Sequence, residues 1–146
     1  HFSYGNFGEA GRTFGKSLVY NMSMLNLNSI MIGTHQPKVL AQFYEKVFGK
    51  SPDMEEGTWS GWQLGSCFFN IGEHSKVIGK AKEPQRIILN LETKKVKEEF
   101  ERIKKTGAKV IKEPYEMENA WIATFADPDG NYFQLMSPWD NMDNKN

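Results

Sequence analysis

The chain states its architecture twice, and that repetition limits what it can fold into more than any single motif does. Residues 26–72 read as strand, helix and strands, ending in Phe68-Phe69-Asn70-Ile71, and residues 84–138 read the same way, ending in Tyr132-Phe133-Gln134-Leu135. Each half opens on a short β-rich run, Leu27-Asn28-Ser29-Ile30-Met31-Ile32 and then Gln85-Arg86-Ile87-Ile88-Leu89-Asn90-Leu91. Registering the halves on those runs aligns Ser29 with Arg86 and Asn70 with Gln134. In a chain of two equivalent modules, paired positions of this kind can converge on one cleft. None of the four is a good metal ligand.

At 146 residues the chain fits one domain. Lys and Arg total 18 and Asp and Glu total 18, so the formal charge is zero and no basic stripe marks a nucleic-acid surface. An aromatic content of 13% with seven Met points to a well-packed interior and an adaptable apolar pocket. The single cysteine, Cys67, has no partner within the chain and sits in an expected strand, which fits a reducing, cytoplasmic setting. Residues 1–23 are rich in Gly and aromatics without periodicity. They lack the continuous apolar run of a signal peptide or membrane span, and read as a leader or added arm, loosely ordered or docking through Phe2, Tyr4, Phe7 and Phe14. The folded domain is expected over residues 24–139, with modules at about 26–80 and 84–139, and a polar, frayed tail over 140–146.

Within the first module the pattern predicts a strand from Leu27 to Ile32. A helix should open at Pro37, where the missing N–H is no loss, bury Leu40, Phe43, Tyr44 and Val47, and stop at Gly49. Strands follow at Asp53–Glu56, Trp59–Leu64 and, after a Gly65-Ser66 turn, Cys67–Ile71. In the second module a strand is expected from Arg86 to Leu91. Thr93 then caps a helix whose apolar stripe is Val96, Phe100 and Ile103 and which ends at Gly107. Short strands are expected at Lys109–Ile111 and Trp121–Phe125. Asp127-Pro128-Asp129-Gly130 is a strong tight-turn signal before the strand Tyr132–Leu135.

Two βαβββ modules in this span, with Phe43-Tyr44-Glu45-Lys46-Val47-Phe48-Gly49 in the first helix and Phe125-Ala126-Asp127-Pro128-Asp129-Gly130-Asn131-Tyr132-Phe133-Gln134-Leu135 near the end, resemble the vicinal oxygen chelate superfamily of glyoxalase I, bleomycin-resistance proteins and extradiol dioxygenases. The resemblance covers residues 26–139. It implies an α+β fold in which the two modules form a curved, half-barrel-like mixed sheet with helices on the outside and a ligand in the cleft. It also implies a homodimer.

The family's metalloenzymes take one ligand from the first and one from the last strand of each module. Carried over, those sites fall on Ser29, Asn70, Arg86 and Gln134, a set without imidazole or carboxylate. Arg86 cannot coordinate, because its guanidinium is a permanently charged donor. No metal and no cofactor is therefore expected, and His35 and His74, in loops, read as exposed or capping residues. No nucleophile–base signature surrounds Cys67 or Ser29.

The four positions suit instead a hydrogen-bonding floor, with Arg86 clamping a carboxylate, phosphate or phenolate and Ser29, Asn70 and Gln134 orienting polar groups. Strand alternation adds Phe68 and Tyr132 on the faces of Asn70 and Gln134, Met31 beside Ser29, and Ile88 and Asn90 beside Arg86. Trp59, Trp62 and Trp121 are candidates for the walls. The alternative is an Arg86 paired internally, with Glu92 or Glu116, and aromatics that only fill the core. The expected function is metal-independent binding of an aromatic or anionic small molecule, with no nucleic-acid or membrane partner. The alternative function is a lactoylglutathione-lyase-like lyase or isomerase, or a dioxygenase relative, using a relocated metal site or metal-free acid–base chemistry.

Overall fold

Alternation along the first strand, β1 (Ser29–Thr34), sends Ile32 into the core and Thr34 into full burial, and leaves Ser29, Met31 and Gly33 on the other face. This computed structural model describes residues 23–138, of which Asn28–Pro138 form one unit. Residues 1–22 and 139–146, which include all but one residue of the expected leader and the whole of the expected tail, lie outside the described residues. Helix α1 (Pro37–Phe48) begins at Pro37, buries Leu40, Tyr44 and Val47, and ends where Gly49 takes φ 69° and its N–H bonds the Glu45 carbonyl. Strands β2 (Met54–Glu56), β3 (Trp59–Leu64) and β4 (Cys67–Glu73) complete the module, with Leu64 paired to Cys67 across the two-residue turn. β1 pairs β4 in parallel, so the sheet order is β1-β4-β3-β2.

The second module repeats the order as β5-β8-β7-β6, an open mixed sheet like the first. Its strands are β5 (Leu89–Glu92), β6 (Lys109–Met117), β7 (Ala120–Ala126) and β8 (Tyr132–Met136), with helix α2 (Val96–Lys105) between β5 and β6. Beyond shifts of one or two residues at strand ends, three departures from the sequence expectation have a visible cause. β5 starts at Leu89 rather than Arg86, because the Arg86 N–H turns back to the Glu83 carbonyl and Ile87 points into solvent. Thr93 does not cap α2; its hydroxyl accepts the Lys95 N–H, and Lys95 is the capping residue. β6 runs on through Pro114, which the ladder accommodates by shifts in register between Val110 and Tyr115. β6 and β7 then join through Glu118 and Asn119, both at positive φ, as a two-residue hairpin turn.

One core runs through both modules. Trp62 meets Phe48 at 5.4 Å and Phe48 meets Phe69 at 5.2 Å between ring centroids. Tyr44 bridges Phe69 at 5.0 Å to Phe133 at 5.8 Å, and Phe133 stacks on Phe125, which stacks on Phe100. Such ring pairs add about 0.5–1.5 kcal/mol each beyond burial.

The Asp127–Gly130 turn does more than reverse the chain. Gly130 sits at φ 83° and closes the turn on the Asp127 carbonyl, while both carboxylates are buried. Asp129 accepts the Thr34 hydroxyl at 2.5 Å and the Gln36 amide at 2.6 Å, and Asp127 accepts the Tyr44 hydroxyl at 2.7 Å. Three donors of the first module thus clasp a turn of the second. Asp127 also accepts from the backbone of Asp129 and Asn131 and from the Asn131 side chain. Burial pushes its carboxyl above the usual range even so, since desolvation outweighs those bonds. Burial, and then the Asp127 charge, hold the Tyr44 phenol well above its ordinary value, so it remains a donor. At the far end of α1, Arg102 donates to the Lys46 and Val47 carbonyls at 2.8 and 2.6 Å and tethers α2 there.

Candidate functional site

Each sheet packs one face against its helix and leaves the other open in part, Ile122, Thr124 and Ala126 being buried on that face of the second sheet, and the ladders say which residues share these faces. In the first sheet, Ser29 stands beside Phe68, which pairs with Gln63. The next row is Met31, Asn70, Gly61 and Met54, and the third is Gly33, Gly72, Trp59 and Glu56. The glycines are there because rings lie on them. A Cβ at Gly61 would overlap the Phe68 ring, and one at Gly72 would overlap the Trp59 indole. Asn70 therefore occupies a row between two aromatic rings, with Met31, 65% exposed, at its side.

The second sheet presents a polar row. Asn90 pairs Gln134, Gln134 pairs Thr124, and Thr124 pairs Lys112. The Gln134 side-chain amide donates to the Thr124 hydroxyl at 3.2 Å, leaving its carbonyl oxygen as the acceptor. The Lys112 ammonium lies 5.4 Å from the centroid of the Tyr115 ring. Tyr132, opposite Ala126, and half-buried Met136, opposite Ile122, flank this row.

These ladders correct the register on which the sequence reading stood. Met31 is opposite Asn70 and Asn90 is opposite Gln134, so the counterpart of Ser29, two residues before Met31, is Ile88. Arg86 lies two residues further out, before β5. Its side chain is 71% exposed and pairs with Glu83 at 3.2 Å, not with Glu92 or Glu116. The run Ile87-Ile88-Leu89 imitates a longer strand, although only its end enters the ladder.

Of the residues singled out from the sequence, Ser29, Met31, Phe68 and Asn70 share the open face of the first sheet. Tyr132 and Gln134 share that of the second, and Ile88 precedes its first ladder residue. Trp62 and Trp121 do not join them. Trp62 is completely buried on the helix side, its indole N–H donating to the Lys50 carbonyl at 3.0 Å. Trp121 packs against the core under the Lys97 ammonium, 3.7 Å from its ring centroid. The open-face tryptophan is Trp59, three residues before Trp62 and hence on the opposite face; parity counted from Asn70 through Gly61 identifies it. Asn90 was legible as a neighbour of the site, whereas Lys112, Thr124 and Tyr115 were missed because β6 carries shifts in register that hide their parity.

The positions onto which the resemblance carries the metalloenzymes' ligands, re-registered on the ladders, hold a hydroxyl, an alkyl group and two carboxamides: Ser29, Ile88, Asn70 and Gln134. A divalent ion that polarises substrate oxygens needs imidazole or carboxylate donors, so this set does not fit one. Among the described residues no group of three or more His, Cys, Asp or Glu could hold a metal ion. Among them, too, no helix is long and apolar enough to cross a membrane.

Solved structures share the architecture. A glyoxalase/bleomycin resistance protein/dioxygenase family enzyme from Burkholderia phytofirmans PsJN is 23% identical with a TM-score of 0.63, the match covering 77% of this chain and 98% of that one. A glyoxalase-related enzyme from Fulvimarina pelagi is 16% identical with a TM-score of 0.66, covering 79% and 89%. A glyoxalase/bleomycin resistance protein from Albidiferax ferrireducens T118 is 15% identical with a TM-score of 0.64, covering 80% and 100%. No curated protein matches the chain. The profile of the Glyoxalase-like domain matches residues 29–136, almost all of the two-module unit. With that span matched and the paired βαβββ sheets in place, the chain belongs to the glyoxalase-like domain family of the vicinal oxygen chelate superfamily.

Proposed function

We propose that this protein binds a small aromatic or anionic molecule on its open sheet faces without a metal ion. The observation that carries the reading is the chemistry of those faces: neutral amides and a hydroxyl, rings laid on glycines, and the Lys112 ammonium at the end of a polar row. Asn70 and Gln134 orient polar groups of the ligand, and Phe68, Trp59 and Tyr132 supply apolar area. A second copy of the chain covers the exposed Met31 side of these faces, giving a homodimer. The half-buried lone thiol of Cys67 suits the reducing cytoplasm.

The test is calorimetric titration of Ni²⁺, Mn²⁺ and Zn²⁺ into chelator-stripped, dialysed protein, beside a thermal-shift screen of flat aromatic and anionic compounds. No stoichiometric metal binding is expected. A ligand at about a hundred times its Kd should stabilise the fold by about 2.7 kcal/mol. One tight metal site per chain, or a screen without a single hit, would sink the reading.

A further inference from the structure

The turn after β4 folds back over the open face of the first sheet. The His74 N–H donates to the Thr34 carbonyl at 3.1 Å, and the Val77 N–H donates to the His74 carbonyl at 3.0 Å. These bonds seat His74 on Gly33, where an added Cβ would stand 2.9 Å from the His74 Cβ and 3.6 Å from a Val77 methyl. Gly33 pairs with Gly72, and Gly72 carries the Trp59 indole, so imidazole and indole occupy neighbouring places in one row. Met31 and Asn70 form the next row inward.

The imidazole is oriented as well as placed. Its Nδ1 accepts the Lys76 N–H at 3.2 Å, so the neutral ring carries its proton on Nε2 and offers it as a donor. Lys76 adds positive charge on the same turn, whereas Glu73 falls, by alternation, on the other face of β4. The corner thus combines an indole, an imidazole N–H and a carboxamide, carried by one sheet and the turn that follows it.

We infer that this corner holds a planar aromatic carboxylate, its ring stacked against Trp59 and its carboxylate taken by the Nε2–H of His74. The inference rests on the small-molecule reading above and gives that ligand its class. His74 acts as a specificity-determining donor, and Gly33 is the residue that lets it reach the site.

Naphthoate and the neutral naphthalenemethanol, titrated calorimetrically into the full chain, separate the two claims. Wild type should bind naphthoate about tenfold more tightly than the alcohol, the difference expected of a charge-assisted hydrogen bond. His74→Leu should lose that preference while retaining its affinity for the alcohol. Gly33→Ala, which displaces His74 without altering it, should do the same, and Trp59→Leu should weaken both probes. A naphthoate preference that survives in His74→Leu overturns the role of His74 and leaves small-molecule binding standing. If wild type binds neither probe, the corner is not a stacking site, whatever the broader screen finds elsewhere.

Discussion

Replacing Tyr44 by Phe deletes one hydroxyl from a buried seam and changes almost nothing else. The lost bond runs at 2.7 Å from Tyr44 to an Asp127 carboxylate that is buried and keeps three other donors. Hydrogen bonds to charged groups contribute about 1.5–3 kcal/mol, so the variant should lose about 2 kcal/mol at neutral pH. For a domain of this size that is a fall of roughly 8 °C in Tm. The pH dependence identifies the cause. The folded Asp127 carboxyl lies above its ordinary value of 3.8. Its contribution to stability is therefore fully present below that value and is lost as pH rises through the folded pKa. The Tyr44 bond opposes that loss by favouring the ionised form, so removing it raises the folded pKa further. The deficit of Tyr44→Phe should shrink to about 1 kcal/mol or less at about pH 3, below the ordinary value of 3.8 and so below the raised folded one, where the carboxyl is protonated and only a neutral hydrogen bond is missing. Urea unfolding of both proteins at the two pH values is the assay. A deficit that is absent at neutral pH, or that grows on acidification, would refute the account of the seam.

Other substitutions separate the faces of the sheets. Trp62→Ala should cost about 3–5 kcal/mol in urea unfolding, whereas Trp59→Ala, taken from the open face, should cost under about 1 kcal/mol. Arg86→Ala should leave stability within about 0.5 kcal/mol and leave the affinity for any screening hit unchanged, since the side chain serves only an exposed ion pair. Gly72→Val should drive the Trp59 indole off its seat, read as a change in near-UV circular dichroism that Trp59→Leu abolishes. Arg102→Gln removes two bonds to the end of α1 and should cost about 1 kcal/mol, its partly exposed setting reducing the loss.

The two-module order was legible because each half carries its own punctuation. Pro37 and Gly49 bracket the first helix, Gly107 follows the second, and the Asp127–Gly130 turn precedes the last strand. The register of the second module was not legible, since Ile87 and Ile88 look like strand although Ile87 is solvated. The ladder, not the apolar run, decides that Ile88 stands where Ser29 does. The tryptophans were not sorted for a related reason: of the three wall candidates only Trp59 lies on the open face, and without strand partners the faces cannot be assigned. Trp59 declares itself through the pairing of Gly61 with Asn70 and through the glycine it covers. The clasp was hidden for a different reason. Asp127 and Asp129 read as turn formers, and nothing local indicates that their carboxylates accept donors 83 to 95 residues away.

That clasp also bears on how such a molecule tolerates change. The modules are joined by side chains that belong to secondary structure or its immediate ends, together with a shared ring stack, while the covalent link between them is a loop from His74 to Ile88. The loop makes its own local turns and meets clasp residues through two backbone bonds, the His74 N–H on the Thr34 carbonyl and the Ala81 N–H on the Asp129 carbonyl. Orientation between the halves is thus encoded in the partners of two aspartates and not in the length of the connection. The loop is free to lengthen, shorten or be cut while the halves keep their alignment, whereas a change at Thr34, Gln36 or Tyr44, remote from the turn in sequence, acts on it directly.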